Sequence, residues 1–410
     1  MPSLTEQLRS LGVRMGTQNL LPQQPRLESP VPIDSVLPGQ WRETPHGEVF
    51  TVETRYKPDF KVGTADLKPS ASLGVIAAWA RDPRLNHLTL EQFVFLDTET
   101  TGLAGGTGTY TFLVGVGRFI QNEFHLAQFF LHDPAGETAQ LAALDDFLSP
   151  CQAVVIFNGK SFDIPLLNTR FLLSGWPSPF VNMSHLDLLH LARRLWKTRL
   201  PSCSLGDLEA NILGTSRSGQ DVPGWMIPDL YFDYLRTGDA RPLRSVFYHN
   251  EIDILSMAAL LNHMTSLVAN PMSSAIEHGL DILALGKLYA DMGHLDTAAE
   301  IYHFALTHNN LNQPAYWRAV KQLSYIHKKR GDFPAAIALW KRAAASGYLY
   351  AHIELAKYCE HKARDFTAAR RWTQAGMEVV RRPDFPAPDR QEALSQLLHR
   401  KNRLERRLKA

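Results

Sequence analysis

The sequence has little cysteine, no excess of either charge and no long apolar run. Its three cysteines are Cys151, Cys203 and Cys359, an odd number whose spacing matches no zinc-binding pattern. We expect them to be buried and reduced, as in a cytoplasmic protein. The first residues lack a continuous apolar segment, and no stretch of about 20 apolar residues follows. Neither a secretory signal nor a membrane span is therefore expected.

The charge balance excludes little by itself. The chain has 43 Lys and Arg residues against 41 Asp and Glu residues, a net charge of +2. Any surface that attracts a polyanion must therefore be local. With 410 residues, 45% of them hydrophobic, the chain is long enough for two or three domains with cores of their own.

Shifts in composition and pattern divide the chain into four segments. We predict a loosely ordered segment, an N-terminal extension that packs on the next domain, an α/β domain, and a helical-repeat domain with a basic C-terminal helix; these comprise residues 1–40, 41–88, 89–268 and 275–410. The first is rich in Pro and Gln, with one short helix expected at 4–14. The second contains a predicted strand at 48–56 and a short helix near 72–81.

The pattern within residues 89–268 predicts a mixed sheet with flanking helices. FVFLDTET, TFLVGVGRF and FHLAQFFL are separated by short turns and predict a meander of three strands. A helix is expected at 137–148. QAVVIFN is then continuously apolar, which is typical of a strand buried on both faces. Helices follow to about residue 268, so the domain belongs to the α/β class.

The last third contains three copies of one pattern. In each copy an Ala follows a Tyr, His or Cys by nine residues, an aromatic lies four later, and a second Ala three after that. The copies are Tyr289, Ala298, Tyr302 and Ala305; His327, Ala336, Trp340 and Ala343; and Cys359, Ala368, Trp372 and Ala375. These offsets resemble tetratricopeptide repeats. We expect this region to bind a protein partner or to stack on the α/β domain.

Two carboxylates end the first strand of the meander. Asp97 and Glu99 are two residues apart, so both side chains point to the same face of the sheet. Two such charges repel each other unless a cation lies between them. Oxygen ligands favour Mg²⁺ or Mn²⁺ over zinc. Taken alone, the pair would favour an ordinary acidic turn over a metal site.

Further acids follow the buried strand and lie on a late helix. Asp163 starts a helix after FNGKSF, where it can also act as an N-cap. His249 and Asp253 are four residues apart and hence share a helix face, as a simple surface pair also would. A His beside a metal-binding Asp is suited to deprotonate water. Together with Asp97 and Glu99, these residues indicate a hydrolytic metal site.

Three segments resemble the motifs of a known nuclease family. DTETTGL (97–103), NGKSFD (158–163) and HNEID (249–253) are similar to the three exonuclease motifs of the DEDD class, and in particular to the YprB-type RNase H-like domain of bacteria. The resemblance covers about residues 90–265. It implies an RNase H-like fold and a nuclease that uses two Mg²⁺ or Mn²⁺ ions.

The resemblance also implies a role for each acid. Asp97 would contact both ions, Glu99 and Asp253 would complete one site, and Asp163 would act on the other ion. The usual His precedes the last Asp by five residues and the alternative Tyr by four; here His249 lies at four and Tyr248 at five. The general base is therefore His249, Tyr248 or neither, and we favour His249 because its spacing stacks it over Asp253.

Candidate substrate contacts surround these motifs. Thr100 lies beside Glu99 and the glycine-rich turn, and Asn158 ends the buried strand. A local basic group comprises Arg193, Arg194 and Lys197. Phosphate contact is one role for these cations, and a solvated helix face is the alternative.

The sequence therefore predicts a 3′–5′ exonuclease that hydrolyses single-stranded DNA or RNA by a two-metal-ion mechanism. The direction of cleavage comes from the resemblance alone. Two alternatives remain. The domain binds nucleic acid without cutting it, or the chain is an adaptor whose helical repeats hold a protein partner.

Overall fold

The computed structural model of the chain describes residues 30–102, 107–307 and 311–409. The predicted α/β class is confirmed, since a mixed sheet with flanking helices is followed by a region built of helices. The helix expected at 4–14, and most of the segment expected to be loosely ordered, lie outside the described residues.

The elements of the described residues are numbered in chain order. The strands are β1 Gln40–Thr44, β2 Gly47–Tyr56, β3 Lys61–Val62, β4 Ala65–Asp66, β5 Phe93–Thr100, β6 Thr111–Ile120, β7 Glu123–Phe130, β8 Ala153–Ile156 and β9 Ser184–Asp187. The helices are α1 Ile33–Val36, α2 Gly74–Ala80, α3 Glu137–Leu148, α4 Asp163–Leu173, α5 Leu188–Trp196, α6 Leu205–Leu208, α7 Ile227–Thr237, α8 Leu243–Ala269, α9 Gly279–Asp291, α10 Leu295–Thr307, α11 Gln313–Arg330, α12 Phe333–Ala345, α13 Leu349–His361, α14 Phe366–Arg381 and α15 Ala387–Lys409.

Seven strands form the main sheet in the order β1-β2-β7-β6-β5-β8-β9. The meander β5-β6-β7 is antiparallel, as predicted, whereas β8 and β9 run parallel to β5. Strands β1 and β9 were not predicted, because each is an edge strand of no more than five residues. The segment 41–88 does more than pack on the sheet, since it supplies β2 and most of β1.

Strand β5 separates two apolar cores. Phe93 and Phe95 pack in a core that also contains residues of α5 and α8. Val94 and Leu96 pack in a second core with residues of α3 and α4. The alternation of side chains along a strand produces this division. The end of β5 can therefore direct side chains toward α8 on one face and toward α4 on the other.

Helix α8 lies unusually close to the sheet. A Cβ atom added at Gly115 would lie 2.0 Å from the side-chain oxygen of Asn250, and one at Gly117 would lie 2.8 Å from Ile254. Only glycine at these two strand positions leaves room for the helix. No membrane span was expected, but α8 is long and apolar enough to cross a bilayer. However, 67% of its most apolar 18-residue stretch is buried inside the protein. That burial is the behaviour of a core helix.

The helical region packs each helix against the next from α9 to α15. Gly286 touches the ring of Tyr302, and Ala298 and Ala336 are fully buried, as the first two copies of the repeat require. In the third copy Ala368 is only half-buried, and its neighbour Ala369 faces the core instead. The helical character is confirmed, while the tetratricopeptide assignment remains a prediction.

All three cysteines are free thiols. Cys151 and Cys203 are buried as predicted, but Cys359 is only half-buried. Burial raises the pKa of Cys151 to about 11, so its thiol stays protonated near neutral pH.

Replacing Trp340 tests the packing of the helical region. Trp340 is 1% exposed, so Trp340→Ala removes a fully buried ring, and we expect a loss of about 3–5 kcal/mol in the free energy of unfolding of this region. Denaturant titration followed by circular dichroism measures the change. The control is Leu408→Ala, whose side chain is 40% exposed and whose loss should change stability by less than about 0.5 kcal/mol. Equal effects of the two variants would contradict the packing.

Candidate active site

The alternation of β5 brings three acids toward one place. Asp97 and Glu99 continue the face of Phe95, which is the face covered by α8, and Asp253 projects from α8 itself. Thr98 lies between the two acids and points to the opposite face. Its hydroxyl donates a short hydrogen bond to the carboxylate of Asp163 at the start of α4.

The four carboxyl groups are close enough to perturb one another. Burial and then the negative charges of Asp253, Glu99 and Asp163 raise the pKa of Asp97 well above its ordinary value. The pKa of Glu99 is raised in the same way, by burial and then by Asp253 and Asp163. Carboxyl groups from three distant segments of the chain therefore lie close together, while the metal-binding role predicted for them remains a prediction.

Asp163 lies at the edge of this cluster. Burial raises its pKa to about 6, the hydrogen bond from Thr98 opposes that rise, and the charges of Asp187 and Asp253 add to it. A Cβ atom at Gly159 would lie 2.7 Å from a carboxylate oxygen of Asp163. Glycine in the NGKSFD segment therefore makes room for this carboxylate.

A chain of amide side chains orients Asp97. The amide of Gln128 donates to the side-chain oxygen of Asn250 at 2.9 Å, and the amide nitrogen of Asn250 donates to the carboxylate of Asp97 at 2.9 Å. Both amides are buried. Because every step is a hydrogen bond with one direction, the Asp97 carboxylate is held in a single orientation.

Arg217 supplies positive charge on the α8 side of the cluster. Its guanidinium makes two hydrogen bonds, of 2.8 and 2.7 Å, to the buried carboxylate of Glu209 and a third, short one to Asp253. Burial raises the pKa of Asp253, whereas the charges of Arg217 and His249 lower it. Arg217 therefore partly neutralises the acid that the sequence assigns to a metal.

The candidate ligands do not form a closed metal site in this structure. Among the described residues, no three His, Cys, Asp or Glu side chains are gathered around a single point. The donor chemistry nevertheless fits a hard divalent cation, because such an ion prefers oxygen ligands and the half-buried carboxylates supply them. An ion bound at Asp253 would compete with Arg217 for the same oxygen atoms.

His249 is held by an acid that the sequence analysis missed. Its Nδ1 lies 2.7 Å from the carboxylate of Asp221, and its Nε2 lies 3.7 Å from that of Asp253. The same Nδ1 lies 3.2 Å from the guanidinium of Arg217, so a carboxylate and a cation compete for this nitrogen. In the tautomer in which Nδ1 donates to Asp221, Nε2 presents its lone pair toward Asp253. Tyr248 instead accepts a hydrogen bond from the backbone of Ser218 through its hydroxyl oxygen.

The predicted substrate contacts near the strands have structural partners. The hydroxyl of Thr100 donates to the carbonyl of Gly102 and so holds the turn. Asn158 has a left-handed backbone with φ of 64°, and its backbone N–H donates to the carboxylate of Asp187. Asp187 is also the N-cap of α5, because its carboxylate accepts a hydrogen bond of 3.1 Å from the N–H of Leu189.

The basic residues at the C-terminal end of α5 differ in their partners and exposure. Arg194 is paired with Asp291 of α9 and lies 3.4 Å from the carbonyl of Lys287. It therefore joins the α/β domain to the helical region. Arg193 and Lys197 are exposed and stay available to a ligand.

Three further residues of the site were not singled out from the sequence. Asn250 lies within the HNEID motif, and Asp221 begins the segment DVPG (221–224). Arg217 lies between DVPG and the segment CSLGDLE (203–209). The two glycines of TFLVGVGRF, in the middle of a strand, were a signal that a helix approaches there. No pattern in the sequence singles out Arg217, because its partners come from three separate segments.

Comparison with known proteins agrees with this fold. Residues 94–265 match a model of the RNase H superfamily, and the chain therefore carries a domain of that superfamily, with its nuclease-like fold. An uncharacterized protein of Bacillus subtilis (strain 168), YprB, is 35% identical over 282 residues. That alignment covers 67% of this chain and 66% of the relative, slightly less than two thirds of its length.

The raised pKa of Asp163 predicts a pH-dependent stability when divalent ions are chelated. A carboxyl whose pKa rises from 3.8 to about 6 on folding holds its proton more tightly in the folded chain. Its stabilising contribution is complete below the unfolded pKa and is lost as pH rises through the folded pKa. Asp163→Asn removes this titration, so the variant should gain stability relative to the wild type between about pH 4 and pH 7.

Thermal unfolding in EDTA across that pH range measures the difference between variant and wild type. Asp59→Asn changes an exposed acid and is the matched control, for which the difference should not vary with pH. A difference that is flat for Asp163→Asn as well would refute the burial of this carboxyl.

Proposed function

We propose that this protein is a metal-dependent nuclease that hydrolyses phosphodiester bonds, acting as a 3′–5′ exonuclease of the DEDD type on single-stranded DNA or RNA. The observation that carries the proposal is the convergence of Asp97, Glu99, Asp163 and Asp253: the charge of Asp253 raises the pKa values of the other three. An RNase H superfamily domain around these acids supports it. The direction of cleavage rests on the resemblance of the motifs. A cytoplasmic location accords with three free thiols.

Mg²⁺ or Mn²⁺ is the proposed cofactor, with two ions expected. Asp97, Glu99 and Asp253 would hold one, and Asp97 with Asp163 the other. When bound, such ions activate water and stabilise negative charge on the attacking and leaving oxygens. Asn250 keeps the Asp97 carboxylate oriented for this role through its hydrogen bond of 2.9 Å.

His249 is the proposed general base. Attack by water forms a new bond to phosphorus, breaks the bond to the leaving oxygen and releases a proton, which the Nε2 atom of His249 accepts. The proposed base is the tautomer in which Nδ1 donates to Asp221, 2.7 Å away, and Nε2 keeps its lone pair. Asp221 therefore acts as a positioning residue.

The strand would be held by groups around the cluster. Exposed Arg193 and Lys197 are proposed to contact phosphates. Asn158 and Thr100 line the strand ends from which the acids project and remain proposed substrate contacts. Arg194 is left out of this set, because Asp291 already neutralises it.

Nucleic-acid binding without turnover is the second candidate, and one observation favours it. Arg217 already occupies a carboxylate oxygen of Asp253, and no three ligands are gathered among the described residues. A domain in which Arg217 stays on Asp253 in the presence of Mn²⁺ would have an internal cation in place of the ion. Turnover therefore requires Arg217 to move.

Cleavage assays with acid variants test the proposed function. Purified protein is incubated with end-labelled DNA and RNA in Mg²⁺, Mn²⁺ or EDTA. Asp97→Asn and Asp253→Asn should each lower the rate by at least about 100-fold, because even residues that only support a metal ligand contribute 10- to 100-fold. Asp59→Asn, an exposed acid, should cleave as the wild type does. Cleavage that persists in EDTA or in both acid variants would reject a metal-dependent nuclease.

The identity of the general base is tested by replacing each of its two candidates separately. His249→Ala should lower kcat by about 10²- to 10⁴-fold, the usual contribution of a general base. Tyr248→Phe should change kcat little, because the Tyr248 hydroxyl is bonded to the backbone of Ser218 at 3.2 Å. Single-turnover rates and strand affinity, measured separately, distinguish catalysis from binding. A large loss in Tyr248→Phe, with His249→Ala nearly unaffected, would reverse the assignment.

A further inference from the structure

Trp225 is an aromatic side chain that the fold leaves in solvent. It is 75% exposed, the highest exposure among the large hydrophobic side chains of the described residues. Burying a large apolar side chain stabilises a fold, and Trp225 forgoes most of that stabilisation. An isolated exposed apolar residue is common, so its position must decide whether it has a role.

The backbone around Trp225 is fixed on both sides. Val222 and Ile227 are buried in one apolar core with residues of α7 and α8. Between them a single 3-10 turn, Gly224–Met226, is closed by the N–H of Met226, which donates to the carbonyl of Pro223 at 2.9 Å. The buried residues on both sides and the closed turn therefore fix the position of the Trp225 backbone.

That point lies beside the proposed base. A Cβ atom at Gly224 would lie 4.0 Å from Nε2 of His249, the atom that faces Asp253. Asp221, three residues before Gly224, is the hydrogen-bond partner of His249. Since consecutive Cα atoms are about 3.8 Å apart, the Cα atom of Trp225 lies one residue from a position adjacent to His249. The indole is therefore attached to a backbone segment that passes beside His249.

We propose that Trp225 is the stacking platform for a nucleobase at the reacting end of a single strand, an inference that rests on the proposed function. Every base presents a π face, and stacking on an aromatic side chain requires no particular base. In a duplex these faces are covered by neighbouring bases. Trp225 would therefore favour an unpaired end over a paired one and hold it beside His249.

Strand affinity tests this role without requiring cleavage. A short 5′-labelled single strand with phosphorothioate linkages stays intact, and fluorescence anisotropy measures its binding to the full-length protein in Mg²⁺, with DNA and RNA strands as separate arms. Trp225→Ala should bind about 5- to 100-fold more weakly, the range that one base–aromatic stack contributes. Trp225→Phe should retain most of the affinity, because it keeps an aromatic face.

Two controls separate stacking from general apolar contact. Leu172→Ala removes an equally exposed apolar side chain, 74% exposed on α4, and should bind as the wild type does. A strand with an abasic 3′-terminal nucleotide should lose affinity for the wild type but not for Trp225→Ala, which has no platform left to lose. Thermal unfolding checks that each variant is folded.

The outcomes distinguish this proposal from the function on which it rests. If the wild type binds strands and Trp225→Ala binds them equally well, the platform is refuted while the nuclease proposal stands. The platform is also refuted if Trp225→Ala loses equal affinity for intact and abasic strands. If the wild type binds neither DNA nor RNA, the proposed function fails and the platform fails with it.

Discussion

The candidate active site depends on how the negative charge of its clustered carboxylates is neutralised, because these groups are partly shielded from water. Burial and the charge of Asp253 raise the pKa values of Asp97, Glu99 and Asp163, so the cluster is costly to ionise fully without added positive charge. Arg217 provides one positive charge and is itself fixed by the buried carboxylate of Glu209. Divalent ions would provide more, and the competition between Arg217 and an ion for Asp253 is the point at which the two candidate functions diverge.

The fold creates this cluster with ordinary strand geometry. One strand directs Asp97 and Glu99 toward α8, while Thr98 between them reaches Asp163 on α4. The approach of α8 depends on glycines at two positions of β6, where any larger residue would collide with the helix. The polar chain from Gln128 through Asn250 then orients Asp97. The packing of α8 and the proposed catalytic site thus draw on the same few residues.

Local patterns were sufficient for the sheet core but not for its edges or its loops. The meander and the buried strand β8 follow from alternation and continuous apolarity, whereas β1 and β9 are too short for either signal. The four acids could be predicted because each lies within a recognisable motif. Arg217 could not be predicted, since its partners Glu209 and Asp253 come close to it only after folding. The sequence also left open whether His249 or Tyr248 is the base, and the preference for His249 is supported by its contact with Asp221.

Anomalous diffraction from crystals soaked in Mn²⁺ tests the central claim most directly. We expect manganese peaks among the carboxylates of Asp97, Glu99, Asp163 and Asp253, with the guanidinium of Arg217 displaced from Asp253. Crystals that remain free of manganese in this cluster at saturating concentration, with Arg217 still paired to Asp253, would contradict the claim.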